Sequence, residues 1–431
     1  MFRLILKNIW SRRGKHAWLF IELILVTIIA WKLIDHTTVL LYDASLPMGY
    51  DTDRLVKIDV GTLPESHKDY SMESADSAAR MNSLWAFLSK VRALDGVAAA
   101  TASGRYSFMG YPNINTGYRS LNLADSIEKP ISGQQFWIGT DFFNTIGITP
   151  ASTSSLSVLS DAGLQPGDMI FTESYARRFS PSGNIPGGKV FRSYSGDTVM
   201  YNVVAVSKDV RRKPTDRSYD LAFIAAAPEA YDNFTCVARL KPGVDMYEFM
   251  RELRIKAPRE LRAGNYMVKT VAPYSKVFEN MMHQGGHTTE YTRGIALTVF
   301  FMLNILLGVV GSFYLQTRRR ISEIGVHRAF GATQGNVLAM LIGEALVLGS
   351  CAFVVAELLY LQYAHAAGLS YGLISNTGTG VADTWVSSFG IHFALISVIV
   401  YVLLMACVLA GTYFPARKAA HINPIDALRN E

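Results

Sequence analysis

One short basic stretch decides the fold of this chain: RRRISEIGVHRAFGAT, at Arg318–Thr333. It lies between two long apolar segments, and four of its residues recur at helical spacing: Ile321, Ile324, Gly325 and Arg328. Gly331 is placed to stop a helix, and Thr333 to cap the next one. We therefore expect a short helix that is rigidly joined to two membrane spans and presents small and basic residues to a partner protein.

Composition indicates a membrane protein with a substantial water-exposed part. Of the 431 residues, 50% are hydrophobic and only 18% are charged, against about 25% charged in soluble domains. The net charge of +6 comes from basic residues bunched beside apolar runs, which favours membrane topology over nucleic-acid binding. The three cysteines, Cys236, Cys351 and Cys407, are far apart and form no disulfide or metal signature.

Four stretches are long and apolar enough to cross a bilayer, which takes about 20 residues of helix. They are Ala17–Ile34, Ile295–Leu315, Val337–Gln362 and Ile391–Phe414. Lys and Arg cluster before the first, between the second and third, and after the fourth, but are absent from the short connection Tyr363–Gly390. The positive-inside rule therefore predicts cytoplasmic termini, a cytoplasmic 316–336 loop and an outer segment Tyr42–Glu290.

The outer segment mixes strand and helix patterns, which predicts an α+β region of one or two lobes. Strands are predicted at Arg54–Val60, Gly96–Thr101, Gly133–Ile138, Met169–Phe171, Tyr201–Ser207 and Asn233–Leu240, and helices at Glu73–Leu94, Glu173–Phe179 and Tyr247–Lys256. Pro150–Gly167, rich in Ser and Pro, is predicted as a surface loop or domain junction.

Two motifs suggest chemistry but are better explained by structure. GNIPGGKV at Gly183–Val190 matches a phosphate-binding loop except that Val190 replaces the required Ser or Thr, and we expect a turn followed by a strand. His283 and His287 have the spacing of zinc ligands, but no third ligand accompanies them and Gly285-Gly286 weakens the helix between them. We therefore expect no catalytic, cofactor or metal site in this chain.

Ionisable residues inside the spans point to function, because charge is costly in hydrocarbon. Glu22 and Glu344 fall at similar depth in the cytoplasmic third, where they either contact a neighbouring helix or reach the headgroups. Glu357, near the outer edge, is expected to be exposed. Lys32 and Asp35, three residues apart, are expected to pair.

The stretch RRRISEIGVHRAFGATQGNVLAMLIGEALVLG resembles bacterial ABC-transporter permeases of the MacB/FtsX/LolE superfamily, whose pattern is roughly R-x-x-E-I-G-x-R-[RK]-A-x-G-A followed by a helix with E-A. The matching positions are Glu323, Ile324, Gly325, Arg328, Ala329, Gly331, Ala332, Glu344 and Ala345. His327 and Phe330 depart from the usual residues. Pro415–Ala420 and Asn423–Arg429 are similar to the family's ending, and weaker similarity to the MacB periplasmic core covers Asp141–Ile148, Ile185–Lys189 and Val203–Val206.

The resemblance implies an integral membrane protein of four transmembrane α-helices, with a large extracytoplasmic α+β domain inserted between the first two. Its expected parts are a cytoplasmic amphipathic segment (1–16), a first helix with outward extension (17–41), the periplasmic domain (42–290), a second helix (291–316), a cytoplasmic coupling element (317–336), a third helix (337–363), an outer loop (364–390), a fourth helix (391–414) and a cytoplasmic tail (415–431).

The resemblance also implies a function. The chain is expected to be an inner-membrane permease subunit that turns ATP hydrolysis into motion of the periplasmic domain, driving efflux or release of a substrate. MacB carries its own ATPase domain and this sequence does not, so ATP and Mg²⁺ are expected on a separate ATPase subunit. The expected ATPase contacts are Arg320, Glu323, Ile324, Gly325, Arg328, Ala329, Gly331, Ala332 and Thr333.

Other expected partners are a second permease copy or homologue, membrane lipids, and a periplasmic adaptor or outer-membrane channel, but no nucleic acid. The alternative is an FtsX-like signal relay that activates or senses a periplasmic partner. The coupling element would look the same in both functions.

Overall fold

The computed structural model describes residues 13–104, 107–108, 114–120, 130–151, 164–180, 185, 187–194, 197–214, 220–225, 234–318, 320, 324–326, 328, 330–370 and 384–420. These residues divide into two compact units. The first unit comprises the described residues of 1–42, 290–372 and 383–431, and the second those of 43–289.

The described helices are α1 (Arg13–Ser45), α2 (Ser77–Arg92), α3 (Phe142–Ile146), α4 (Glu173–Phe179), α5 (Met246–Glu260), α6 (Ser275–Gln284), α7 (His287–Arg318), α8 (Gln334–Ala367) and α9 (Phe389–Ala420). A 3₁₀ turn at Glu73–Ala75 precedes α2. The described strands are β1 (Leu55–Thr62), β2 (Val97–Ser103), β3 (Ile114–Ser120), β4 (Ile131–Ile138), β5 (Asp168–Thr172), β6 (Gly188–Tyr194), β7 (Asp197–Ser207), β8 (Leu221–Ala225), β9 (Thr235–Leu240), β10 (Arg262–Ala263) and β11 (Tyr266–Pro273).

The first unit is built from α1, α7, α8 and α9, each long and apolar enough to cross a membrane. The predicted four-helix membrane fold is thereby confirmed. At 33 residues, α1 is about 50 Å long, well beyond the roughly 30 Å of a hydrocarbon core. The fourth helix continues through Pro415 to Ala420, past the end predicted at Phe414.

Close helix contact in this unit depends on small residues where two backbones meet. A Cβ added to Gly411 of α9 would lie 2.9 Å from the Cα of Val310 on α7. Around this contact the four helices share one core, which includes Leu23, Val309, Ala352 and Val408. Small residues are the usual means of close packing in lipid, where no hydrophobic force draws helices together.

The second unit begins with an antiparallel sheet of strand order β10-β11-β1-β9-β2. Its buried residues form a core with α2 and α5, through Leu84, Phe87 and Leu88 of α2 and Leu253 of α5. The helical spacing of the α2 residues in the sequence is what predicted this amphipathic helix.

The other strands of the second unit close into a barrel of order β3-β4-β8-β5-β7-β6. The β4–β8 and β5–β7 pairs are parallel, and the remaining pairs are antiparallel. Along β8, Leu221 and Phe223 join one apolar cluster whereas Ala222 and Ile224 join another, so both faces of this strand are buried. The sheet and barrel confirm the predicted inserted α+β domain.

The structure contains a strand or helix at each position predicted within the inserted segment, with ends that differ by a few residues. The structure also contains elements outside these predicted positions, namely the helices α3 and α6 and the strands β3, β6, β8, β10 and β11. Of these, β6 is the strand expected after the glycine-rich loop. Most of the predicted loop Pro150–Gly167 lies outside the described residues, as does the amphipathic segment up to residue 12.

Cys236 provides a test of the sheet core, since it lies on β9 and is fully buried. Burial raises the pKa of its thiol to about 12. At pH 8 only about one thiol in 10⁴ is then ionised, and the thiolate is the reactive form. In a Cys351→Ser/Cys407→Ser variant we expect negligible maleimide labelling of the folded protein and rapid labelling in denaturant. Equal rates in both conditions would contradict the described core.

Candidate functional site

The segment between α7 and α8 forms a turn of helix that ends where the sequence predicts. The Ile324 N–H donates to Arg320 O at 3.0 Å, and the Phe330 N–H donates to Val326 O at 3.1 Å. Gly331 has a φ of +89°, a conformation that favours glycine and stops the helix. The predicted stop is confirmed.

The cap at the start of α8 is also confirmed. The Thr333 hydroxyl accepts a hydrogen bond from the Asn336 N–H at 3.2 Å, which satisfies one of the free donors at the helix start. Two predicted contact residues of this segment, Glu323 and Ala329, lie outside the described residues.

One side of this segment is anchored and the other is open. Ile324 is only 3% exposed and packs with Val337 and Leu341 of α8 and with Ala416 of α9. Phe330, in contrast, is 89% exposed. The segment is therefore fixed to two membrane helices while it leaves a large apolar side chain exposed.

An ion pair ties the segment to the interior of the helix unit. Arg320 Nη1 lies 2.6 Å from Glu344 Oε2 on α8, with side-chain exposures of 13% and 5%. The two residues line a small cavity of about 20 Å³, together with Phe313, Gln316, Leu341, Ala345, Leu348 and Thr412. Arg320 is also one of the predicted ATPase contacts, and within this chain its guanidinium group lies against Glu344.

Glu22, the other carboxylate predicted at this depth, also makes an interhelical contact. The Ser312 hydroxyl of α7 lies 2.9 and 2.8 Å from the two carboxylate oxygens of Glu22 on α1. Glu22 therefore contacts a neighbouring helix, one of the two alternatives left open by the sequence, whereas Glu344 pairs with Arg320 of the segment between α7 and α8.

The opposite end of the helix unit contains a fully buried polar network. His392 Nε2 lies 2.7 Å from Asp35 Oδ1, and the Ser370 N–H donates to Asp35 Oδ2 at 2.9 Å. His392 Nδ1 lies 3.2 Å from the Val386 carbonyl oxygen, so both ring nitrogens have a polar neighbour. The predicted Lys32–Asp35 pair is wrong, because Asp35 turns inward to α9 whereas Lys32 is exposed.

Glu357 was predicted to be exposed, and this is also wrong. Its carboxylate is half-buried and accepts a hydrogen bond from the Ser397 hydroxyl of α9 at 2.7 Å. The indole N–H of Trp31 on α1 donates to the same hydroxyl at 3.3 Å. The network joins three helices, which offsets the cost of a carboxylate inside the unit.

In the second unit, Arg211 forms a buried site that no sequence motif predicted. Its side chain is fully buried, and its guanidinium group donates to several backbone carbonyls. Nη1 reaches Asp43 O at 2.7 Å and Pro214 O at 2.9 Å, Nη2 reaches Leu46 O at 2.5 Å, and Nε reaches Pro47 O at 3.2 Å. The group therefore satisfies carbonyls at and just beyond the end of α1, where helix hydrogen bonding stops.

The described parts of the two motifs set aside in the sequence belong to the start of a strand and to the ends of two helices. Gly188 and Lys189 of the glycine-rich loop begin β6, so a strand follows it as expected. His283 ends α6 and His287 begins α7, with Gly286 at a φ of +72° between them. The two histidines therefore do not share one helix face. No cluster of three or more metal-ligating side chains occurs within the described residues.

Comparison with known proteins gives a family match for the carboxy-terminal helices. A family described as FtsX-like permease C-terminal matches residues 295–424. An uncharacterized ABC transporter permease of Methanocaldococcus jannaschii is 25% identical over 238 residues, 54% of this chain and 55% of that protein. The pyoverdine export ATP-binding/permease protein PvdT of Pseudomonas putida is 28% identical over 171 residues, 35% of this chain and 23% of that protein. The chain thus spans about half the length of the first relative and about a quarter of the second.

Two solved structures are similar to part of the chain. The periplasmic region of MacB from Actinobacillus actinomycetemcomitans is 10% identical, with a TM-score of 0.32, and the match covers 54% of this chain and 94% of that one. The extracellular domain of the ABC-type transporter YknZ from Gram-positive bacteria is 10% identical, with a TM-score of 0.29, and the match covers 50% of this chain and 100% of that one.

We expect Arg320→Met or Glu344→Met alone to destabilise the protein by about 3–5 kcal/mol, because each leaves one charge buried without its partner. The double variant, which removes both charges and keeps similar volume, should lose less than either single variant. The free energy of unfolding in detergent, measured for the unmodified protein, the two single variants and the double variant, gives the coupling energy of the ion pair. Strictly additive losses would contradict the ion pair.

We expect Arg211→Lys to lower the free energy of unfolding by about 2 kcal/mol or more. The carbonyls surround a planar guanidinium group, and the single ammonium group of lysine cannot hydrogen-bond to all of them. Arg259→Lys, at an exposed position of α5, is the matched control and should change stability little. Equal stability of the two variants would show that the carbonyl contacts of Arg211 are unimportant.

Proposed function

We propose that this chain, whose residues 295–424 match an FtsX-like permease domain, is an ABC transporter permease of the MacB/FtsX type that acts as a mechanical subunit. A separate ATPase subunit binds the 318–333 segment, and its ATP-driven movement is passed through the membrane helices to the inserted domain. The inserted domain lies outside the membrane and drives export or release of a substrate there, while both termini lie in the cytoplasm. The relative from Pseudomonas putida is named for export, which supports this direction.

The observation that carries the proposal is the asymmetry of the 318–333 segment. Ile324 and the Arg320–Glu344 ion pair attach the segment to α8 and α9. A displacement of the segment therefore also displaces these two helices. Phe330 extends from the same segment with 89% of its surface exposed. A partner that binds Phe330 and then moves would therefore displace the membrane helices together with the segment.

The route from this segment to the inserted domain follows α1 and α7. Glu22 and Ser312 connect these two helices near the segment, and Thr37 and Thr298 connect them again with a hydroxyl–hydroxyl hydrogen bond of 2.8 Å. The boundaries between the two units fall within both helices. Arg211 hydrogen-bonds to the backbone at the end of α1. A displacement of α1 would therefore also displace the residues that are bonded to its end.

We assign ATP hydrolysis to the partner because the sequence motif departs from a complete phosphate-binding loop. The one loop that approaches the phosphate-binding pattern has Val190 where a Mg²⁺-binding hydroxyl is needed, and its residues lead into a strand. ATP and Mg²⁺ would act only in the ATPase subunit. A second permease copy would complete the assembly.

We expect Phe330→Ala to reduce ATPase-coupled activity at least about tenfold, because a fully desolvated aromatic anchor commonly contributes more than 1.4 kcal/mol to an interface. The measurement is recovery of the ATPase subunit on the purified permease, together with ATP hydrolysis in proteoliposomes. Phe414→Ala, at a residue of α9 that is 73% exposed, is the matched control and should behave as the unmodified protein. Full assembly and hydrolysis with Phe330→Ala would contradict the docking assignment.

A further inference from the structure

The wall of the cavity beside the Arg320–Glu344 ion pair contains both polar and apolar residues. Its polar residues are Gln316 of α7, Arg320, Glu344 of α8 and Thr412 of α9. Its apolar residues are Phe313, Leu341, Ala345 and Leu348. Three membrane helices and the segment between α7 and α8 therefore meet around one small space.

The size and lining of this cavity suit a single water molecule. Its volume is about 20 Å³, and by the same measure about 10–15 Å³ is enough to hold one water molecule. A buried water molecule also needs about two to four polar partners, whereas purely apolar cavities stay dry. The polar residues of the wall can supply these partners.

The hydroxyl of Thr412 indicates that the cavity holds a hydrogen-bonding ligand. Thr412 is 2% exposed and lines the cavity. Its hydroxyl has no hydrogen-bond partner among the described residues. A hydroxyl that leaves water without gaining a replacement hydrogen bond destabilises the folded state. A ligand in the cavity would remove this cost.

Thr27 shows how another buried threonine of the same helix unit avoids the cost. Thr27 of α1 is 1% exposed, and its hydroxyl donates to the Leu23 carbonyl one turn earlier at 2.6 Å. The corresponding acceptor for Thr412 is the carbonyl of Val408, four residues earlier on α9. Thr412 does not make this local bond. Its partner is therefore to be sought in the polar cavity that it lines.

The ion pair supplies the other side of the site. A guanidinium group has five N–H donors and a carboxylate accepts about four hydrogen bonds, so the contact between Arg320 and Glu344 leaves room for further partners. Both side chains are largely buried. A buried ion pair is favourable only when its remaining hydrogen-bonding capacity is also used.

We propose that this cavity is the binding site of one ordered water molecule, which joins Thr412 to the Arg320–Glu344 ion pair. The water accepts a hydrogen bond from the Thr412 hydroxyl and donates one to the Glu344 carboxylate, which can only accept when ionised. The bridge ties α9 to α8 and, through Arg320, to the 318–333 segment. The site does not depend on the proposed function, because it can be tested on the permease alone, without nucleotide or ATPase.

The direct test is a structure of the purified full chain at a resolution that shows ordered water. We expect density for a water molecule within about 2.5–3.0 Å of both the Thr412 hydroxyl oxygen and a Glu344 carboxylate oxygen. A cavity without such density, or a Thr412 hydroxyl bonded to the Val408 carbonyl, would overturn the proposal.

The sign of a stability change provides a second test. Thr412→Val replaces the hydroxyl by a methyl group of similar size. If the water bridge is present, this variant loses it, and the thermal unfolding midpoint in detergent should fall by about 2–4 °C. If the hydroxyl has no partner, removing a buried polar group should instead raise the midpoint. An unchanged or raised midpoint would contradict the bridge.

Thr27→Val is the matched control, because it also removes a buried hydroxyl from a membrane helix. The bond of Thr27 lies within its own helix, so this variant should shift the midpoint less than Thr412→Val does. Thr412→Ser and Thr412→Ala both lose the methyl group and differ only in the hydroxyl. We expect the Ala variant to unfold at the lower temperature, although alanine is the better helix former. Equal midpoints for the two would count against the bridge.

The link to the ion pair is tested by combining substitutions. In the Arg320→Met/Glu344→Met protein the water has lost its charged partners, so adding Thr412→Val should lower the midpoint little further. A full additional decrease of about 2–4 °C in that background would show that Thr412 acts independently of the ion pair, which contradicts the proposal.

Discussion

The structure of the membrane unit depends on one constraint: a polar group inside a helical span must find a partner there, because hydrocarbon supplies none. Glu344 meets Arg320, Glu22 meets Ser312, and Asp35 meets His392. Each contact joins residues that are far apart in the chain or on different helices, so satisfying the polar group also fixes the packing.

These contacts suggest how a membrane subunit could be stiff where it must transmit force. The Arg320–Glu344 pair and Ile324 anchor the cytoplasmic segment at one end of the helices, and the Asp35–His392 and Glu357–Ser397 contacts brace the other end. A push on Phe330 would meet helices that are joined to one another at both ends. In the proposed mechanism the helices therefore move together, and the inserted domain receives the displacement through α1 and α7.

Much of this organisation follows from local sequence pattern. Long apolar runs predict the four spans, Gly331 and Thr333 predict where one helix stops and the next starts, and alternation predicts β1. β8 escapes prediction because both of its faces are buried, so LAFIA shows no alternation. The Lys32–Asp35 prediction failed because local spacing favours a neighbour, whereas the actual partner, His392, is 357 residues away. No local sequence pattern predicts the role of Arg211, since the backbone carbonyls to which it donates are brought near it only by folding.

The central claim, that ATP hydrolysis by a partner moves the inserted domain, is tested most directly by a distance. Spin labels at exposed positions of α8 and α5, on Ala366→Cys and Ile255→Cys, report the separation of the two units in one chain. The account predicts that trapping the ATPase subunit with nucleotide shifts this distance distribution, and that nucleotide has no effect when the ATPase is absent. An unchanged distribution in a complex that hydrolyses ATP and moves substrate would contradict it.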